Sequence, residues 1–215
     1  AYLTLSLRGF PNDIHSPQLL RIFGDGNRIE TLVVQALAAA GHNVEELDPS
    51  TGKQWSFSSH GEHHCANLDG FITLVGSQER MPLEIKSMNR KLFETFQKKG
   101  ILFSHPKYYD QVQDGMGLAR KAGVNVSKCY VIAYCKDNSQ FHGEIIEFNE
   151  QWFNTLIDKV TDLVLHKNPI RSGSYQKEFA CSGCSKRTSC WEPNVQYRAC
   201  WHCEFAVPHI AHQGK

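Results

Sequence analysis

The sequence predicts an α/β protein: a central mixed β-sheet flanked by helices, with a small cysteine-rich appendage near its C-terminal end. Three observations carry this. Short apolar runs with strand-like alternation recur through the middle of the chain, separated by polar turns. Amphipathic stretches with helical spacing lie between and around them. Beyond about residue 175 the composition shifts to Cys, aromatic and polar residues, and Cys181, Cys184, Cys190, Cys200 and Cys203 crowd together.

The elements follow in order. In "HSPQLLRIFGDGNRIETLVVQALAAAGHNV" the second half reads as a helix. From Arg28 to Ala40 the apolar positions Ile29, Leu32, Val33, Ala36, Leu37 and Ala40 obey the i, i+3, i+4 rule, and Gly41 ends the pattern. Glu30 then falls in a first turn, where a carboxylate complements a helix N-terminus. "QWSFSS" alternates and reads as a strand. "DGFITLV", the turn "GSQER" and "PLEIKS" read as a hairpin with a five-residue loop. A helical segment near 89–98 and the helix "YYDQVQDGMGLARKAG" come next. "KCYVIAYC" and "GEIIEF" are strands joined by "KDNSQFH". "NEQWFNTLIDKVTDLVL" is amphipathic, with Trp152, Leu156, Ile157, Val160, Leu163 and Val164 as its stripe and Phe153 beside it in the core. The expected organisation is a core over 1–175 and a metal-binding tail over 176–215.

Composition narrows the function classes. The chain of 215 residues is 41% hydrophobic and 21% charged, as in an ordinary globular protein. It contains no run of 18 apolar residues and no signal-peptide pattern, so no membrane partner is expected. The 23 basic and 22 acidic residues leave a net charge of +1, which argues against a protein that coats nucleic acid but leaves room for a local phosphate-binding groove. Two CxxC pairs among clustered cysteines point to a metal site in a reducing cytosol, and so to a cytoplasmic protein, rather than to a disulfide framework.

The chemistry is concentrated in "PLEIKS". Side chains alternate across a strand, so Leu83 and Ile85 point one way and Glu84 and Lys86 the other. A turn centred near Gln78 folds Asp69 back beside Glu84 and Lys86. Two carboxylates and a lysine then share a face. Carboxylate oxygens are the ligands Mg²⁺ and Mn²⁺ prefer, and a neighbouring lysine can orient a water or stabilise charge on a phosphate. The tripeptide Glu-x-Lys alone is an ordinary cross-strand pair on a solvated face. The ordered set of "LDG", a hairpin and "LEIKS", with Glu30 upstream and a Tyr-x-Gln helix downstream, is a far rarer arrangement.

On these residues the chain resembles the PD-(D/E)xK nuclease superfamily, in particular its RecB-like and lambda-exonuclease-like members, many of them phage-encoded. The resemblance runs from about Ser16 to about Val164 and implies a restriction-endonuclease-like core. The family's first-helix glutamate matches Glu30 in "GNRIE" and its metal-binding aspartate matches Asp69 in "HHCANLDG". Its E-x-K pair matches Glu84 and Lys86. Its helical glutamine matches Gln111 in "YYDQVQ", with Tyr108 or Tyr109 as the accompanying aromatic residue. A histidine before the aspartate is usual; here His63 and His64 depart from the usual spacing. The resemblance implies metal-assisted phosphodiester hydrolysis on DNA. Asp69, Glu84, the Ile85 carbonyl and Glu30 would hold Mg²⁺ or Mn²⁺, Lys86 would position the water, and Gln111 would orient the lysine or the phosphate. Lys91, Lys98, Lys99 and Lys107 are available for phosphates or simply make a solvated helix face. The expected role is an exonuclease or end-processing nuclease in phage or bacterial DNA recombination or repair, with a recombination annealing protein as a further partner. The alternatives are a structure-specific endonuclease on the same core and a catalytically silent DNA-binding module.

The tail admits two readings. Cys181, Cys184, Cys200 and Cys203 form CxxC-x15-CxxC, a zinc-ribbon spacing in which four thiolates close a tetrahedral Zn²⁺ site. Cys181, Cys184 and Cys190 also resemble the cysteine triplet of iron–sulfur RecB-like nucleases, which implies a 4Fe-4S cluster. Those proteins take a fourth cysteine from upstream of the nuclease motifs, where this sequence has none before Cys65; Cys200 or Cys203 is the substitute, and His202 and His209 are further candidate ligands. Cys65, Cys129 and Cys135 read as structural.

Overall fold

The structure is a computed structural model and describes residues 14–165, 174, 175, 178, 181 and 184–191. Helix α1 spans Pro17–Ala39, eleven residues longer at its start than the apolar periodicity from Arg28 indicates. The start signal is Ser16 followed by Pro17: the Leu19 amide donates to Ser16 Oγ at 3.2 Å, and proline suits the first helical position. Gly24 and Gly26 interrupt the apolar pattern without breaking the helix. Glu30 is therefore mid-helix, far from the N-terminal amides, and the helix-dipole role expected for it is overturned. At the other end Gly41 adopts φ +87°, and the His42 amide reaches the Leu37 carbonyl, a glycine-terminated helix end as expected.

Nine strands follow among the described residues. β1 (Asn43–Glu45), β6 (Gly70–Thr73), β7 (Arg80–Met88), β8 (Lys128–Cys135) and β9 (Phe141–Glu147) form one sheet in the order β1-β6-β7-β8-β9. All its pairings are antiparallel except β7 with β8, so the sheet is mixed. The parallel crossover is made by α2 (Arg90–Ser104) and α3 (Pro106–Lys121), since parallel neighbours cannot be joined by a tight turn. β2 (Leu47–Asp48) with β3 (Lys53–Gln54), and β4 (Ser56–Ser59) with β5 (His64–Asn67), form two separate two-stranded sheets. Helices α4 (Glu150–Leu165) and α5 (Arg187–Trp191) complete the described elements.

The chain divides into two compact units. One comprises Arg21–Ser59 with Cys65–Leu156, and the other the described residues within Ala1–Leu20, His60–His64 and Ile157–Lys215. The first unit contains the sheet and is layered. On one face Val33, Val34 and Leu37 of α1 pack on Ile72, Met81, Leu83, Ile85 and Ile132. On the other, Phe93, Phe96 and Ile101 of α2 and Tyr109, Val112 and Met116 of α3 cover Phe71, Met88, Val131 and Ala133. Each fully buried aliphatic or aromatic side chain contributes about 1.5–3 kcal/mol. This is the expected α/β architecture, a mixed sheet flanked by helices.

Several details differ from expectation. Arg80 lies in β7 opposite Thr73 rather than in the turn, because its guanidinium forms a bidentate pair with Glu45 and sits 3.7 Å over the Phe71 ring. The pairing of Gly70 with Leu83 centres the hairpin on Gly76 and Ser77, just before Gln78. On α4 it is Phe153 that is buried. Trp152 is 36% exposed, turned outward so that its indole Nε1 donates to Asp110 at 2.8 Å. Cys129 and Cys135 are buried in β8, as expected of structural thiols, and burial drives the Cys129 thiol well above its usual range. The expected domain boundary at 175/176 and the tail ligands Cys200 and Cys203 lie outside the described residues, or border on them.

Candidate active site

The site is assembled where β7 outruns its antiparallel partner. Strand β6 begins at Gly70, opposite Leu83. The Ile85 amide lies past that ladder, and Asp69 Oδ2 accepts its hydrogen bond at 2.7 Å. Gly70 makes this turn possible: its φ is +153°, and a Cβ there would stand 2.9 Å from the Glu45 carbonyl oxygen. Asp69 is thus fixed beside Glu84 by backbone geometry, as the hairpin reading requires.

Strand alternation then sorts β7. Ile85 enters the core against α1, while Glu84 and Lys86 share the opposite face. Glu84 is 3% exposed and ion-paired with the Lys86 ammonium. No hydrogen bond of ordinary geometry reaches its Oε1. Lys86 Nζ also donates to Gln111 Oε1 at 3.0 Å and stands 4.9 Å from the Tyr108 ring centroid, a cation–π distance. Gln111 and Tyr108 project from α3 three residues apart, the spacing that puts two side chains on one helical face. Of the two tyrosines, Tyr108 belongs to the site, whereas Tyr109 is core and meets the Trp152 ring edge-on. The neighbouring Gln113 is fully buried and structural: its amide donates to the Glu147 carbonyl at 2.9 Å and accepts from the Asn149 amide at 2.8 Å.

Burial governs the acidity of the three carboxyls. It pushes Glu84 up to about 7, against the opposing charge of Lys86. It raises Asp69 too, with the Ile85 hydrogen bond and Lys86 pulling the other way. Glu30 is raised by burial and then by the charges of Asp69 and Glu46. Lys86 offsets part of the shift at all three carboxyls, and burial still holds each above its usual range.

A cation would complete such a place. The donors are hard oxygens of the kind Mg²⁺ and Mn²⁺ take, and the buried Glu84 carboxylate has the Lys86 ammonium beside it. Among the described residues no three His, Cys, Asp or Glu side chains already converge at metal-ligand distance. The chemistry of the donor set fits a divalent ion. His63 and His64 fall in the other compact unit. Lys91, Lys98, Lys99 and Lys107 are all exposed. Of the tail cysteines, Cys181, Cys184 and Cys190 are described and half-buried.

A cleft of about 440 Å³ opens onto the carboxyl and ammonium groups, lined by Glu30, Asp69, Ile85, Lys86, Ser87 and Tyr108 on one side and by Ile22, Phe23, Gly26, Asn27 and Ile29 of α1 on the other. The α1 wall is absent from the sequence reading, because the helix was not expected to extend that far. The Ser16–Pro17 pair was the available signal. A second cavity, about 530 Å³ between α2, β9 and α4, has Glu144, Glu147 and Glu150 on its lining against one lysine, a charge balance that disfavours a polyanion.

No family model matches the chain, and no curated protein matches it in sequence. A solved structure matches in fold. LHK-Exo, in a crystal structure with dAMP, is 18% identical, with a TM-score of 0.50 over 71% of this chain and 69% of that one. SSO0001 is 15% identical, with a TM-score of 0.46 over 85% of this chain and 73% of its own. The class defined by the fold is thus an α/β architecture shared with LHK-Exo. No helix among the described residues is long and apolar enough to cross a membrane.

Proposed function

We propose that this protein is a metal-dependent deoxyribonuclease of the PD-(D/E)xK type, an exonuclease or end-processing enzyme in DNA recombination or repair. The observation that carries the reading is the Lys86 ammonium, held at once by Glu84, Gln111 and Tyr108 beside the backbone-fixed Asp69. A bare ion pair on a sheet face needs no such threefold grip. The fold shared with LHK-Exo, which was solved with dAMP, agrees with it.

Asp69, Glu84, the Ile85 carbonyl and Glu30 would hold Mg²⁺ or Mn²⁺, which when bound neutralises the phosphodiester and polarises it toward attack. Lys86 then orients the attacking water and accompanies the developing charge, and Gln111 with Tyr108 fixes the lysine's direction. Exposed Lys91, Lys98, Lys99 and Lys107 are available to neighbouring phosphates. Such a protein works on DNA in the cytoplasm of a bacterium, alone or beside an annealing partner.

The test is digestion of end-labelled linear and closed circular DNA with Mg²⁺, Mn²⁺ or EDTA. Metal-dependent loss of the linear substrate with the circle intact is expected. Cleavage of the circle would favour the structure-specific endonuclease, and no cleavage of either would leave the silent binding module. For the tail we propose a bound metal held by Cys181 and Cys184 with partners among Cys190, Cys200 and Cys203. Elemental analysis is expected to find zinc in a colourless preparation, or iron in a brown one. Cys181→Ser with Cys184→Ser should release it, and a preparation containing neither metal contradicts the assignment.

A further inference from the structure

Resting on the nuclease reading, we propose that His105 is a positioning residue for cleavage: its imidazole, pinned by Ser104, sets the direction of the Tyr108 ring, and through that ring the direction of the Lys86 ammonium. It lies outside the Glu-x-Lys strand, at the junction of α2 and α3.

A chain of contacts supports this. At its far end Ser104 Oγ donates its one proton to the Gly100 carbonyl at 2.6 Å. Toward His105 the same oxygen can then only accept, so the imidazole donates from Nδ1, at 2.8 Å. Nε2 is buried, with no hydrogen-bond partner among the described residues, so nothing there would receive a second proton. The ring is neutral, and burial, which lowers its pKa, agrees. This imidazole stacks on the Tyr108 ring, with centroids 5.3 Å apart and planes 10° apart, an offset arrangement that aromatic pairs prefer. Lys86 Nζ stands 4.9 Å from the centre of the same Tyr108 ring.

The stack matters because of what lies beyond it. Lysine carries a compact charge on a flexible stem, so the groups around its head set its direction. A cation is drawn to the face of an aromatic ring, and helix α3 fixes where Tyr108 begins but not which way its ring turns. The imidazole is itself held firmly. Its amide donates to the Ile101 carbonyl at 2.8 Å, and its carbonyl accepts from the Tyr108 and Tyr109 amides at 2.9 and 3.2 Å. Any residue except proline would make those backbone bonds. The His105 side chain makes no capping hydrogen bond to α3; what histidine adds is the flat ring and its Nδ1 anchor.

The test uses His105→Ala, His105→Gln and His105→Phe at saturating DNA in Mg²⁺. Loss of the ring in the first two should lower kcat about three- to tenfold, the worth of one aromatic contact. KM should stay within about twofold, because the lysine and not DNA binding is disturbed. His105→Phe restores a flat ring and should recover most of the rate. In a Tyr108→Leu background His105→Ala should cost nothing further, as expected of residues that act as one unit. NMR of protein carrying ¹³C-labelled lysine gives a readout without DNA or metal, with the Lys86 signal assigned by its absence in Lys86→Arg. The Tyr108 ring current should shift the Lys86 ε-methylene in the wild type. That shift should vanish in Tyr108→Leu, shrink in His105→Ala and His105→Gln, and persist in His105→Phe. Wild-type kcat with an unmoved Lys86 signal in both His105→Ala and His105→Gln overturns this inference alone, as does a kcat loss that adds in full to that of Tyr108→Leu. A wild-type protein that shows the shifted Lys86 signal but cleaves no DNA in Mg²⁺ or Mn²⁺ overturns the nuclease reading, and the positioning role falls with it.

Discussion

Asp69→Asn and Glu84→Gln are each expected to lower Mg²⁺-dependent DNA cleavage by about a thousandfold or more, the upper range for removing one charge-stabilising group at a reacting centre. The substitutions keep size and shape, so a cooperative melt and an unchanged far-UV spectrum should show that the fold survives. The two differ in mechanism. Asp69 is anchored by the Ile85 amide, and an asparagine oxygen can still accept that bond, so the loss there reports charge alone. Glu84 is buried, and among the described residues its charge is opposed by Lys86. Replacing it also frees the lysine to turn. Divalent ions should raise the melting temperature of the wild type, because a ligand that binds the folded state alone stabilises it, and this increment should shrink in both variants. Ca²⁺ should bind and support little turnover, since its variable coordination positions a water poorly. Undiminished cleavage by both variants would remove the site as assigned.

The second large effect concerns Lys86. Lys86→Ala and Lys86→Arg are both expected to lose at least about a hundredfold in rate. The ammonium makes three directed contacts, with Glu84, Gln111 and Tyr108, in a side chain only 17% exposed. A planar guanidinium at the end of a longer stem cannot reproduce that point charge. If the lysine served only as an ion-pair partner, arginine would do almost as well. DNA affinity measured in Ca²⁺ should fall far less than the rate, because the remaining phosphate contacts are unaffected. Near-normal cleavage by Lys86→Arg would make the residue a structural partner of Glu84.

Much of the site was legible because its parts are local. Glu84 and Lys86 share a face by strand alternation, and Asp69 returns beside them through a short hairpin. Gln111 follows Tyr108 by three residues on one helix. These relations depend on periods of 2.0 and 3.6 residues and hold wherever the elements lie. Glu30 was placed on a helix but given a wrong position within it. The apolar stripe begins at Ile29 because only that part of α1 packs on the sheet. The residues before it stand over a cleft, where burial does not select apolar side chains at regular spacing and two glycines are tolerated.

The sequence by itself determined the α/β class, the hairpin, the order of the elements after residue 80, and the acidic and lysine residues that meet in the cleft. Tertiary structure alone decided which tyrosine accompanies the lysine, since Tyr108 and Tyr109 are adjacent and differ only in the direction of their neighbours. It also decided that Trp152 turns outward to Asp110 while Phe153 enters the core, and that α1 supplies the second wall of the cleft. The physical reason is common to all three. Local pattern fixes which residues share a face, but which face meets another element depends on contacts between segments far apart in the chain.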